Sequence, residues 1–303
     1  MLKAYVACFG ADAVYVLDPV MADLLGPPVA TGKGPLGLDI LPNGHRLYVA
    51  NILGNSVSVL DTRTDTVIAS IDLTASAYPA AAPSTVVASP SGLAVYVLCG
   101  GDEPQVAIVD PLENTVVGSI TLPPGTIPRD MALHSGALWV TDSVNGEIVV
   151  CNIEAQVSLE ETIPAPKVGA IAGCPACSFL LFTAPTSIGL LDVTRRSVAR
   201  DVITATTAPE MLVLDPEGRT VYLTDSGAES VQAYDVRTRT RLFSIGVEKH
   251  PEGIDLARGG RLVVVTGPSD DTVSLIDTLC RMELEQVKVG AAPRRVRILS
   301  TLS

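Results

Sequence analysis

Seven times along the chain, a large apolar residue opens a β-prone segment that is followed about thirteen positions later by Asp or Asn. Tyr48-Val49-Ala50-Asn51 leads to Ser58-Val59-Leu60-Asp61, and Tyr222-Leu223-Thr224-Asp225 leads to Ala233-Tyr234-Asp235. The remaining units start at Tyr5, Tyr96, Trp139, Leu181 and Val264 and end at Asp18, Asp110, Asn152, Asp192 and Asp277. The mean period is about 43 residues, the size of one propeller blade.

Each unit has one internal grammar. A Pro opens it at Pro35, Pro83, Pro128, Pro209, Pro251 and Pro293, with Val168 at the equivalent place in the fifth unit. An alternating segment follows, then a turn such as Pro42-Asn43-Gly44 or Asp215-Pro216-Glu217-Gly218, whose residues accept turn dihedrals. Three further β-rich segments complete the unit. No long stretch carries a 3.6-residue apolar period, so very little helix is expected.

Arg46-Leu47-Tyr48-Val49-Ala50-Asn51, followed by Ser56-Val57-Ser58-Val59-Leu60-Asp61 and Thr64, resembles the YVTN β-propeller repeat family. The resemblance runs through essentially the whole chain and implies an all-β, seven-bladed β-propeller with four-stranded antiparallel blades. It implies no particular activity, because similar propellers include lactonases, lyases, and surface-layer or ligand-binding proteins. The fifth unit departs most, with no Tyr and with the turn Gly173-Cys174-Pro175-Ala176-Cys177.

The first unit starts directly at its second strand, Lys3 to Cys8, and the chain ends on an extra first strand, Pro293 to Leu299. The C-terminal strand is therefore expected to complete the N-terminal blade and remove an open edge. The 303 residues divide into blade 1 (1–34 plus 293–303), blade 2 (35–82), blade 3 (83–127), blade 4 (128–166), blade 5 (167–208), blade 6 (209–250) and blade 7 (251–292).

Composition narrows the function classes. The chain is 47% apolar and 18% charged, which excludes a disordered tail protein. A net charge of −12 and only 4% aromatic residues argue against nucleic-acid binding. No apolar run approaches the roughly 18 residues of a spanning helix, so no membrane partner is expected. The stretch from Lys3 through Ala11-Asp12-Ala13 imitates a signal peptide but belongs to the first repeat. The expected location is cytoplasmic if Met1 is the natural start, exported if it is not. A monomer is expected.

In a four-stranded meander, the loops between strands two and three and those between blades share one face, and in similar propellers that face holds the ligand site. Here it carries twelve acidic against six basic residues. Arg129, Glu210, Glu252 and Arg294 directly follow opening Pro residues and should rim the channel. Asp130, Asp142, Asp225 and Arg295 complete the candidate binding set. Ring order brings His250-Pro251-Glu252 near Pro293-Arg294-Arg295, and a His, a carboxylate and an Arg there could supply a base, an orienting group and an anion clamp. A solvated ion-pair rim is the preferred reading of that group. Deeper in the channel, Arg297 is expected to lie between Asp39 and Asp255, because a buried Arg needs such partners.

The Asp or Asn ending each third strand reads as a turn-former rather than a catalytic set. The three His residues, with His45 and His134 expected in turns on the opposite face, share no blade, so no His-based metal centre and no cofactor are expected. Ca²⁺ or Mg²⁺ held by carboxylates at the mouth stays open. Cys8 and Cys99 fall two blades apart, about 20 Å, and should be free thiols. Cys174-Pro175-Ala176-Cys177 reads as a plain turn in preference to a disulfide or a metal site. The favoured function is a non-catalytic scaffold binding a small molecule or protein partner at the channel mouth. The alternative is a lactonase-like hydrolase or a lyase using His250, Glu252, Arg129 and Arg294.

Overall fold

The first, innermost strands of the blades run along a common channel, and in each blade three more strands follow outward. The computed structural model describes residues 2–74, 81–159, 161–204, 206–247 and 249–300. These form seven antiparallel sheets, and the only regular helices among them are short 3-10 turns such as Phe9–Ala11. Blade 6 shows the standard order: Pro209–Leu214, Thr220–Asp225, Ser230–Asp235 and Arg241–Gly246. In blades 1 and 4 the outer strand is split in two, Asp23–Leu24 with Val29–Ala30 and Val157–Ser158 with Ile163–Pro164.

The β-branched and aromatic residues of the repeat suit these strands because neighbouring blades cover both faces. Strands two and three are thus almost continuously buried, as in Arg46–Asn51, whereas the outer strand Thr66–Asp72 is mostly exposed. The apolar core is divided among the spaces between blades. Tyr48, Val57 and Val59 of blade 2, for example, pack with Val95, Val97 and Val109 of blade 3.

The C-terminal strand Pro293–Ser300 pairs antiparallel with Leu2–Cys8, aligning Val296 with Val6 and Ile298 with Ala4. The ring closes as expected. Backbone bonds from Phe9 N to Ala292 O (3.0 Å) and from Gly10 N to Ala291 O (2.9 Å) add to the seam.

The residue ending each third strand is a turn-former. Asp61 Oδ1 accepts from Arg63 N at 2.9 Å, Asp277 Oδ1 from Leu279 N and Cys280 N at 2.8 Å each, and Asn152 Oδ1 from Glu154 N at 2.9 Å. The repeat tyrosine has its own task. Tyr5 Oη donates to Asp65 (2.7 Å) in blade 2, and Tyr48 Oη donates to Asn114 (3.0 Å) in blade 3, so each ties its blade to a turn of the next.

Two expectations need correction. Cys174 and Cys177 form a disulfide. A β-turn closed by Cys177 N to Cys174 O (3.0 Å) puts the two Cα atoms 5.2 Å apart, within bridging range, so a turn favours the bond that the sequence reading set aside. His134 does not sit in a turn. It ends the strand Pro128–His134, is buried, and donates from Nε2 to Cys177 O at 2.9 Å. Burial lowers its pKa. Cys8 and Cys99 are free and buried, and burial pushes both thiols up to about 12.

Candidate ligand site at the channel mouth

Loops of blades 6 and 7 and the starts of the inner strands of blades 4, 6 and 1 enclose a pocket of about 450 Å³ on the expected face. Arg129, Glu210, His250, Glu252 and Arg294 line it together with Ser226 and Ser269. Each of the strand-borne residues directly follows an opening Pro. Proline fixes φ and sets the entry angle, so in blades 4, 6, 7 and 1 the next side chain projects at the rim.

The charges are arranged in pairs. Arg294 Nη1 lies 2.6 Å from Glu252 Oε2, and its guanidinium stands over the Phe9 ring with 5.7 Å to the centroid. Arg129 Nη2 lies 3.6 Å from Glu210 Oε2, and Ser226 Oγ donates to Glu210 Oε1 at 3.0 Å. The Arg129 and Arg294 side chains are 57% and 39% exposed, so both keep donors free toward solvent. His250 has a left-handed backbone, φ 53°, and its ring makes no hydrogen bond among the described residues.

The other expected binding residues are not brought to this pocket. Asp142 and Asp225 are fully buried at the ends of their strands and organise loops. Asp142 accepts from the amides of Val144, Asn145 and Ile127. Asp225 accepts from Thr207, Ala208 and Ala228. Burial works to raise the pKa of Asp225, but these donors outweigh it and hold the carboxyl below the usual carboxylate value. Both oxygens of each carboxylate are thus engaged in holding loops.

Asp130 and Arg295 lie one step down the channel. Asp130 accepts from Ile171 N (3.0 Å) and Thr85 Oγ1 (3.2 Å), and Arg295 Nη2 approaches it to 3.6 Å. Blades 1 and 4 are three places apart in a ring of seven, so this pair reaches across the axis and obstructs the channel below the mouth. Two residues further along the inner strands, Arg297 lies between Asp39 (2.8 Å) and Asp255 (3.7 Å), as expected. Both acids also accept an amide of the next blade, Ala88 N for Asp39 (2.8 Å) and Ile298 N for Asp255 (2.7 Å). Burial raises the pKa of Asp255, against the pull of Arg297, and Asp39 most of all keeps Arg297 charged. Sequence reasoning missed the cross-axis pair because the two residues lie 165 positions apart on strands whose register only the closed ring defines.

Among the described residues, no three His, Cys, Asp or Glu side chains gather as a metal-binding group, and no helix is long and apolar enough to cross a membrane.

The architecture defines the class: a seven-bladed β-propeller with four-stranded antiparallel blades. Solved structures agree on this fold. A functionally unknown protein from Desulfotomaculum acetoxidans is similar with a TM-score of 0.83 and 13% identity, covering 98% of each chain. A protein from Lactobacillus plantarum matches at 0.80 and 15% identity over 99% of this chain and 100% of its own. Kuenenia stuttgartiensis hydrazine synthase matches at 0.75 and 19% identity over 88% of this chain and 90% of its own. At these identities the likeness is one of fold alone. No family model and no curated protein matches the sequence.

Proposed function

We propose that the protein is a YVTN-repeat propeller that binds a small polar ligand at the channel mouth without transforming it. One observation carries this reading: two half-exposed arginines and two glutamates converge from blades 4, 6, 7 and 1 on one 450 Å³ pocket. Arginine pairs with carboxylates through a planar fork, and the glutamates accept from cations, so the mouth suits a ligand that carries both an anionic and a cationic group. The floor formed by Arg295 and Asp130 restricts the ligand to the rim.

A catalytic reading needs a base held by an orienting partner. Among the described residues the His250 ring has no such partner, and Glu252 is engaged by Arg294, which favours binding over hydrolysis or elimination.

The test is a thermal-shift and calorimetric panel of amino acids, dicarboxylates and betaines against the wild type and the Arg129→Ala and Arg294→Ala variants. A ligand that binds only the native state raises Tm with its concentration. The reading expects at least one zwitterion to do so and both variants to lose the effect. It fails if no panel member shifts the wild type, or if the shift survives both substitutions. Turnover of a lactone panel that His250→Ala abolishes would replace it with the enzyme reading.

A further inference from the structure

Between blades 5 and 6, on the face opposite the mouth, a cleft of about 610 Å³ opens into the interblade core. Its walls are Phe179, Leu181, Leu190, Val202, Ile203 and Val236. Four of these apolar side chains, Phe179, Leu190, Val202 and Val236, are only partly buried.

Three local departures from the repeat create the opening. The first is at the repeat tyrosine. Tyr5, Tyr48, Tyr96, Trp139 and Tyr222 put an aromatic ring at this position, whereas blade 5 has Leu181 and blade 7 has Val264. A smaller side chain there leaves the ring's space empty and supplies no hydroxyl to the next blade's turn. The second is in the outer strand Ser197–Ile203. Its register passes from Leu190 opposite Ala199 to Ile188 opposite Ile203, with Asp201 left-handed at φ 52°. The outer strands of blades 2, 3, 6 and 7 carry a bulge of one extra residue; this one has two and brings Val202 to the cleft. Bulges of this kind re-aim side chains. The third concerns the ties between blades. Thr141, Thr224 and Thr266 each donate to a carbonyl of the next blade's inner strand, and Asp39, Asp130 and Asp255 each accept from its amides. Among the described residues, no threonine or aspartate tie of this kind crosses from blade 5 to blade 6.

The cleft's polar end is basic. Arg219, Arg237 and Arg239 line it, are exposed, and make no ion pair among the described residues. The one acid there, Asp235, is committed to its own turn through Thr238 N (2.6 Å) and Thr238 Oγ1 (2.9 Å). Three guanidiniums beside an apolar slot, with only Asp235 near enough to Arg237 to feel its charge, stand out in a chain of net charge −12. Ligand pockets of this size are mostly apolar, with a few convergent polar groups that fix orientation, and arginine favours carboxylate.

We propose that this cleft binds a single-chain amphiphilic carboxylate, a fatty-acid-like ligand, with its chain between blades 5 and 6 and its head on Arg219, Arg237 and Arg239. The site is separate from the mouth and does not depend on a ligand there.

The probe is sodium dodecanoate, titrated below its micellar concentration by calorimetry, with butyrate and dodecyltrimethylammonium as controls. The wild type binds dodecanoate at one saturable site. Butyrate, lacking the chain, and the cation, lacking the charge, bind at least about tenfold more weakly. Leu181→Tyr, which restores the repeat residue, abolishes the site. Arg237→Glu with Arg239→Glu weakens it at least about tenfold while leaving the ligand-free melting temperature in place, and Arg294→Ala at the mouth changes nothing. The proposal is overturned if the wild type shows no saturable binding, if the cation binds equally well, or if the charge-reversed variant keeps full affinity. Saturable binding of an apolar peptide with no response to dodecanoate would assign the cleft to a protein partner and overturn it equally.

Discussion

Where blade 7 meets blade 1, the neighbours are held by backbone bonds at Phe9 and Gly10, by Thr266 Oγ1 donating to Arg294 O (3.0 Å), and by Asp255 accepting from Ile298 N. The contact is so close that a Cβ on Gly253 would meet Arg294 O at 2.4 Å. Where blade 5 meets blade 6, no threonine or aspartate tie crosses among the described residues, the outer strand carries two extra residues, and an apolar cleft stays open. Both junctions join the same kind of repeat. Consecutive blades 4 and 5 carry the same pair of ties as blades 7 and 1, Thr141 Oγ1 donating to Gly169 O and Asp130 accepting from Ile171 N. The difference therefore marks blades 5 and 6 as a junction held, among the described residues, by its linker and by packing, which tolerate a gap.

Removing residues 293–303 tests the closing junction most severely. It strips blade 1 of its inner strand and exposes the edge of Leu2–Cys8. Cooperative unfolding followed by circular dichroism should be lost or give way to aggregation, and an unchanged melting curve would break the comparison.

A smaller effect is expected from Arg297→Met, which leaves Asp39 and Asp255 without their cation. Losing one partner of a buried pair costs several kcal/mol, but Arg297 is 45% exposed, so about 2–3 kcal/mol is expected by chemical denaturation. The pH dependence has a definite sign. The folded-state pKa of Asp255 is raised, so its neutral form is the one the fold prefers. The stability it supports is present at acidic pH and lost as pH rises through the folded-state value. The deficit of Arg297→Met should therefore shrink on acidification, and a deficit that grows would contradict the assigned burial.

At the other junction, Cys174→Ala with Cys177→Ala opens a very short covalent loop and should cost about 2 kcal/mol, measured as a lower Tm under non-reducing conditions. Equal melting of the variant and the wild type would show that packing alone holds the blade 5 turn. The mildest change is Thr266→Val. It deletes the bond to Arg294 O and the one that Thr266 Oγ1 accepts from Gly253 N (2.8 Å), and should cost about 1–2 kcal/mol in a denaturant midpoint. A loss of cooperativity from this single substitution would mean that the junction is far less redundant than its bonds imply.

The ring, its closure and the seven turn-formers, six Asp and Asn152, were legible because each recurs at a fixed place in the repeat, and recurrence ties sequence directly to position. Arg297 between Asp39 and Asp255 was legible for the same reason: the three occupy one level of the inner strands. The mouth group of Arg129, Glu210, Glu252 and Arg294 followed from the proline that precedes each of them, and His250 from its place directly before Pro251. Asp142 and Asp225 were harder, because a carboxylate at a loop end looks the same in sequence whether it faces solvent or gathers amides. Cys174 and Cys177 carried a readable signal, a β-turn spacing that matches the span of a disulfide, which the redox analogy obscured. The cleft between blades 5 and 6 had half a signal. The missing tyrosine at Leu181 is visible in the sequence, but the bulge at Asp201 depends on pairing partners that the sequence does not name.

The strand Pro293–Ser300 sets an order of events during synthesis. The innermost strand of the first blade is made after all of blades 2 to 7, so that blade waits with an open side while the six others form. On the ribosome, Leu2–Cys8 keeps one bare edge until the strand after blade 7 has emerged. Ring closure is then the insertion of a late strand beside an early one.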